Sequence, residues 1–323
     1  MKSSADLFTR SPHNPIITAA SIPYLANSVF NPAAAIVDGE TILLLRVEDR
    51  RGISHLTVAR SKDGLTGWVI DSEPSLRSAP DRHPEELWGI EDPRVTWLPD
   101  EGYFAIAYTA YSRRGPLVSL ATTTDFRTFR RLGPVMPPED KDAALFPRRF
   151  DGRWLLIHRP SPLHGSANIW TSASPDMRHW GDHRLLLEAR EGAWWDASKI
   201  GLGPPPLETS EGWLLMYHGV HTTAAGAIYR SGLALLDLDD PSVILRRSDD
   251  WVLSPTALYE RSGDVPDVVF PCGWLADEAS DLLRVYYGAS DTSVAVATAR
   301  LSEVLDYLLA CPAPERRPQS TGS

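Results

Sequence analysis

Apolar residues along this chain come in short runs broken by polar turns, and one order of runs recurs five times. The leading runs are residues 42–49, 103–111, 154–160, 213–219 and 282–288, each ending in polar or aromatic side chains. A second run rich in small residues follows each: 56–61, 117–122, 168–173, 232–236 and 294–298. Three copies continue into a turn and an outer aromatic, Trp68, Phe129 and Trp180. Each unit is preceded by a short, mostly apolar segment carrying Pro or Asp, at 31–36, 91–95, 144–147, 196–202 and 269–272. About four strands per unit, at spacings of roughly 50–70 residues, match the scale of a propeller blade. A jelly roll or a pair of sandwiches would not repeat one order five times. The pattern predicts an all-β, five-bladed β-propeller forming a single domain over residues 1–310. Residues 302–309 read as a short capped helix, and 311–323 as a disordered tail.

Composition agrees with this and removes several function classes. The chain has 323 residues, 43% hydrophobic and 23% charged, with 27 Pro and 11 Trp. Many prolines between short apolar runs suit a turn-rich β-protein. A formal net charge of -10 argues against nucleic acid as a partner, which would need a basic footprint. Two cysteines, Cys272 and Cys311, make neither a disulfide framework nor a metal-ligand spacing. No run approaches the length of a membrane span, and the first residues lack the apolar core of a signal peptide. The expectation is a cytoplasmic protein with no membrane partner, its oligomeric state open to a homo-oligomer.

A propeller gathers the same loop of every blade at one mouth of its channel. Residues of equivalent phase should therefore converge. They are Arg46, Glu48 and Asp49; Tyr108 and Tyr111; His158 and Arg159; Tyr217 and His218; and Tyr286, Tyr287 and Asp291. The preceding segments add Asn31, Asp92, Asp196, Lys199 and Asp267. Arg46, Arg159, Lys199 and His218 are cationic or can become so, and suit an oxyanion such as phosphate or carboxylate. Asp92, Asp196, Asp267 and Asp291, with the tyrosines and Trp88, suit the hydroxyls and apolar faces of a sugar. Neither a metal motif nor a nucleotide-cradling loop is present, so no metal and no cofactor are expected.

The stretch Trp88-Gly-Ile-Glu-Asp-Pro-Arg-Val95 carries the sharpest signal. Taken locally, it reads as a turn closed by an Asp bonding its own backbone. In the repeat frame it falls on the short segment that precedes a blade's first apolar run. Pro93 is expected to hold Asp92 extended. Alternation would then turn one acid to the cavity and leave the other to anchor the loop.

These motifs resemble glycoside hydrolase family 130. The match runs through Leu44-Leu-Arg-Val-Glu-Asp-Arg-Arg-Gly-Ile-Ser-His-Leu56, Gly89-Ile-Glu-Asp-Pro-Arg94, Ile157-His-Arg-Pro160 and Trp195-Asp-Ala-Ser-Lys-Ile-Gly-Leu-Gly-Pro-Pro-Pro206. It continues in Tyr217-His-Gly219, Gly263-Asp-Val-Pro-Asp-Val-Val-Phe-Pro-Cys-Gly273 and Tyr286-Tyr-Gly-Ala-Ser-Asp291. The resemblance implies a five-bladed propeller and inverting phosphorolysis of β-1,4- or β-1,2-linked mannosides, giving α-mannose 1-phosphate. It implies Asp92 as catalytic acid, relaying its proton through the mannose 3-hydroxyl, and Arg46, Arg159, Lys199 and His218 as the phosphate site. Asn31, Glu48, Asp49, Trp88, Asp196, Tyr217, Asp267 and Asp291 would bind sugar. Asp267 departs from the pattern, since many relatives carry an amide there. The partners implied are a β-mannoside and inorganic phosphate, the latter as co-substrate. Two alternatives stay open: a β-mannosidase on the same scaffold, and a non-catalytic carbohydrate-binding propeller. The intact cation set favours the phosphorylase, because the hydrolytic members resemble one another in losing parts of it.

Overall fold

A computed structural model describes residues 7–314. The expected disordered tail lies mostly outside them. Five antiparallel sheets follow one another around a ring. Blade 1 runs Ser28–Val37, Glu40–Glu48, Ser54–Ser61 and Val69–Ile70. Blade 2 runs Ile90–Leu98, Tyr103–Ser112, Gly115–Thr123 and Arg130–Pro134. Blade 3 is built from Asp140–Leu145, Trp154–Pro160, Ile169–Ser174 and Gly181–Leu187. Blade 4 takes Lys199–Leu202, Gly212–Thr223, Gly226–Leu236 and Ile244–Arg247, with Leu207–Thr209 continuing its first strand past three prolines. Blade 5 has Val269–Asp277, Leu282–Ala289 and Ser293–Arg300. Its fourth strand comes from the other end of the chain: Thr9–Arg10 pairs with Ser293–Arg300, Thr9 opposite Thr298. The ring is thereby closed by β-pairing.

The blades stack face to face, so their second strands are buried on both sides and read as continuous apolar runs. Alternation then sends neighbouring residues to opposite partners. Ile42 and Leu44 pack toward blade 2 with Ile106 and Tyr108, whereas Leu43 and Leu45 pack toward blade 5 with Tyr286 and Val296. The core is accordingly a set of interblade clusters rather than one central mass. Burying a leucine side chain there contributes about 1.5–3 kcal/mol.

The C-terminal helix is Leu301–Ala310. Leu301, Val304 and Leu308 pack on the cluster between blades 4 and 5. Ser302 lies inside the first turn instead of capping it. The cap comes from the preceding hairpin, where Asp281 accepts from the Ser302 backbone N–H at 2.8 Å and from its hydroxyl at 2.6 Å. No helix among the described residues is long and apolar enough to cross a membrane.

Candidate active site

Three leading strands share one irregularity. The register slips by a residue between Phe30 and Ala33, between Glu91 and Arg94, and between Lys141 and Ala144. At each bulge one residue takes left-handed backbone geometry: Asn31 (φ 46°), Asp92 (φ 50°) and Asp142 (φ 55°). Asn and Asp tolerate this region better than other non-glycine residues, so the backbone and the site select the same side chains. Asp92 is therefore not extended as its proline neighbour suggested. The bulge also breaks alternation. Glu91 and Asp92 both reach Arg46, at 3.1 and 2.9 Å, instead of facing opposite ways.

Across from each bulge stands a residue of the second strand. Arg46 pairs with Phe30 and Arg159 with Lys141, while His218 faces Gly201 on the bulge-free strand of blade 4. A cleft of about 180 Å³ opens between these positions. Its acidic side holds Asn31, Arg46, Asp92 and Asp291. One Asp92 oxygen accepts from Asn31 Nδ2 at 2.8 Å and from Arg46 Nη1 at 2.9 Å. Burial pushes the Asp92 carboxyl up, but Arg46 and Arg94 with the Asn31 hydrogen bond outweigh it and hold it below the usual range. Asp291 goes the other way. Burial, then Asp92 and the nearby glutamates, push it up to about 7 against the pull of Arg46.

The other side holds Lys141, Asp142, Arg159, Lys199 and His218. Asp142 accepts from Arg159 Nε and Nη2 at 2.9 and 2.8 Å, and lies 3.3 Å from Arg94 and 3.6 Å from His218 Nε2. Burial opposes its charge, yet Arg159, His218, Arg94 and Lys141 hold it far below the usual carboxylate range. Three of the five guanidinium N–H groups of Arg159 are taken by Asp142 and Ser161. The rest are available to a ligand. Burial lowers His218 to about 3, assisted by Arg159, Arg94 and Lys199 and opposed by Asp142. This shift favours the neutral imidazole, which can still offer a ring N–H to an oxyanion. Gly201 makes this packing possible: a Cβ there would collide with Asp142 Oδ2 and the His218 ring. Beneath the cleft, buried Arg94 ties Asp142 to the carbonyls of Leu202 and Gly203 at 2.9 and 3.1 Å. His218 Nδ1 and Asn31 Oδ1 are buried with no partner among the described residues.

The remaining expected site residues lie elsewhere. Glu48 stands behind Arg46 at 3.4 Å. Asp49 closes its own turn, accepting from the Arg51 backbone N–H at 2.8 Å. Trp88 is half-exposed on the rim, edge-on to Tyr111 at 5.3 Å. Asp267, in the loop before blade 5, is 3.4 Å from Arg261 and does not line the cleft. Asp196 and Tyr217 are fully buried and bonded to each other at 3.0 Å, with Arg247 at 2.8 Å from the carboxylate. Tyr108, His158, Tyr286 and Tyr287 are buried in the same way. For Tyr217 and His158 strand alternation explains this: each is next to a cleft-facing residue, His218 or Arg159, and points the other way. Lys141, Asp142 and Arg94 were not expected. Lys141-Asp142 occupies the phase of Glu91-Asp92, but no proline follows it, and the leading segment of blade 3 was read as starting at Ala144.

No group of three or more His, Cys, Asp or Glu side chains among the described residues is placed to hold a metal ion. Comparison with known proteins is consistent along the chain. A beta-1,4-mannooligosaccharide phosphorylase from Ruminococcus albus is 35% identical over 311 residues, 94% of this chain and 91% of that protein. A beta-1,2-mannobiose phosphorylase from Listeria innocua is 40% identical over 257 residues, 79% of this chain and 69% of that protein. The solved structure of a beta-1,2-mannobiose phosphorylase from Listeria innocua, in complex with beta-1,2-mannobiose, superposes with a TM-score of 0.84 at 32% identity. It covers 93% of this chain and 99% of its own. The glycoside hydrolase family 130 model, described as beta-1,4-mannooligosaccharide phosphorylase, matches residues 6–309, and the chain belongs to that family.

Proposed function

We propose that this chain is an inverting β-mannoside phosphorylase that transfers a mannosyl group to inorganic phosphate and releases α-mannose 1-phosphate. The observation that carries the reading is the cation side of the cleft, where Lys141, Arg159, Lys199 and the neutral His218 surround one carboxylate, Asp142. Phosphate needs no protein base; it needs donors that hold it in line with the anomeric carbon. The phosphate O–C1 bond forms as the C1–O glycosidic bond breaks on the opposite face. Separation of the attacking group from the acid is what inversion requires.

Asp92 supplies the proton to the leaving oxygen through the mannose 3-hydroxyl. In the free cleft Arg46 and Arg94 keep it ionised. A phosphate dianion arriving nearby raises the carboxyl's affinity for a proton, as a like charge does. Phosphate binding thus arms the acid as well as providing the nucleophile. Arg46, expected at the phosphate site, is tied to Glu91 and Asp92 instead, and with Asn31 and Asp291 it orients the sugar. The proposal covers β-1,4 and β-1,2 linkages alike, and running the reaction backwards from mannose 1-phosphate on a panel of acceptors, with linkage analysis, identifies the one used. The deciding measurement incubates β-mannobiose of each linkage with and without phosphate. Mannose 1-phosphate should form only with phosphate. Equal release of free mannose in its absence overturns the reading in favour of hydrolysis.

A further inference from the structure

A second cavity, about 570 Å³, opens between blades 3 and 4. It shares a wall with the central cleft. Ser198 lines the cavity and its neighbour Lys199 lines the cleft; His221 and Thr222 line the cavity just beyond His218 on the adjacent strand. Ser198 and Thr222 are bonded at 3.0 Å, so one strand pair forms the partition. The far wall comes from blade 3 and the segment that follows it, with Asn168 and Glu191.

The lining is rich in hydroxyl, amide and carboxylate groups. Its arginine, Arg190, is already fixed by the Ser248 carbonyl at 2.7 Å and Asp249 at 3.2 Å. Two glutamates, Glu188 and Glu191, line the cavity along with this one arginine, so it has no basic excess for a second phosphate. Mixed donors and acceptors suit a neutral polyol, whose hydroxyls each donate and accept. His221 Nδ1 is buried without a partner among the described residues.

We propose that this cavity is a distal subsite for the leaving-group end of a longer β-mannoside, which holds sugar residues remote from the scissile bond. The identity of the chain as a mannoside rests on the phosphorylase reading; the preference for a neutral oligosaccharide rests on the cavity. Remote binding of this kind raises kcat/KM for long substrates over short ones. The test compares kcat/KM on a disaccharide and a tetrasaccharide of the linkage used, in the native chain and in the variant carrying Glu191→Ala and His221→Ala. The native chain should favour the tetrasaccharide by about tenfold, and the variant should lose most of that margin while its disaccharide rate stays within about twofold. No native margin, a margin unchanged in the variant, or equal loss on both substrates overturns the proposal. Calorimetric titration of the tetrasaccharide into the Asp92→Asn chain, with and without the two cavity substitutions, reads the same subsite without turnover. At least about fivefold weaker binding in the substituted chain supports it, and unchanged affinity overturns it. Failure of the native chain to make mannose 1-phosphate from any substrate would instead strike the phosphorylase reading.

Discussion

The two sides of the cleft are built as charge inverses. On one, a single arginine, Arg46, stands among Glu48, Glu91, Asp92 and Asp291. On the other, a single aspartate, Asp142, stands among Arg94, Lys141, Arg159 and His218. Each central counter-ion fixes the geometry of its neighbours without neutralising them, and Arg94 acts on both sides, lowering Asp92 as well as Asp142. What is left over differs in sign. The acidic side keeps carboxylates for hydroxyls and for a proton; the basic side keeps N–H groups for an oxyanion. Buried Asp142 is held low by the cations around it, whereas burial and then the neighbouring carboxylates push Asp291 up to about 7 despite Arg46. The same residue type is thus shifted in opposite directions by its surroundings.

Three substitutions test this division. The largest effect is expected from Asp92→Asn, which keeps the size of the side chain and removes its proton chemistry. Phosphorolysis should fall by about 10²–10⁴-fold in kcat while mannoside binding persists, as read by steady-state kinetics and calorimetry. A fall below tenfold would remove Asp92 from the acid role. Next, Lys199→Ala should raise the KM for phosphate by about 10–100-fold and change the KM for mannoside by less than about threefold. Parallel losses in both would mean that the two sides do not act separately.

The smallest effect is on stability. The folded pKa of Asp291, about 7, lies above its ordinary value of 3.8. Between these values the folded state binds more protons than the unfolded one, so its contribution to stability falls as pH rises toward 7. Thermal melting at pH 6 and pH 8 should show the native chain losing more stability over that interval than Asp291→Asn. An identical loss in both chains would dissociate the transition from Asp291.

Much of this architecture is legible in the sequence because repetition writes it five times. The phase of the second strand marked Arg46, Arg159 and His218, and all three line the cleft. The same phase also marked Tyr217, His158 and Tyr286, which are buried between blades. Convergence at a mouth is a property of strand position; which side chains face the channel depends on register, and a one-residue slip reverses it. The bulges are such slips. Asn31 and Asp92 were marked by their place in the segments preceding the apolar runs, whereas Lys141-Asp142 fell outside the segment read for blade 3, which began at Ala144. Pairing of Thr9–Arg10 with Ser293–Arg300 was equally silent, because two polar residues carry no periodicity.

That closing strand bears on how the site comes into being. The seam between blade 5 and blade 1 runs through the acidic side of the cleft, where glycine at 288 leaves room for Asn31. Asn31 and Asp291 come from opposite ends of the chain, so the packing of blade 5 on blade 1 carries some of the longest loop-closure entropies in the molecule. The cationic side of the cleft draws on blades 3 and 4, neighbours in sequence as in space. On the proposed reading, the nucleophile's seat lies within one contiguous half of the chain, while the seat of the acid and sugar exists only in the closed circle.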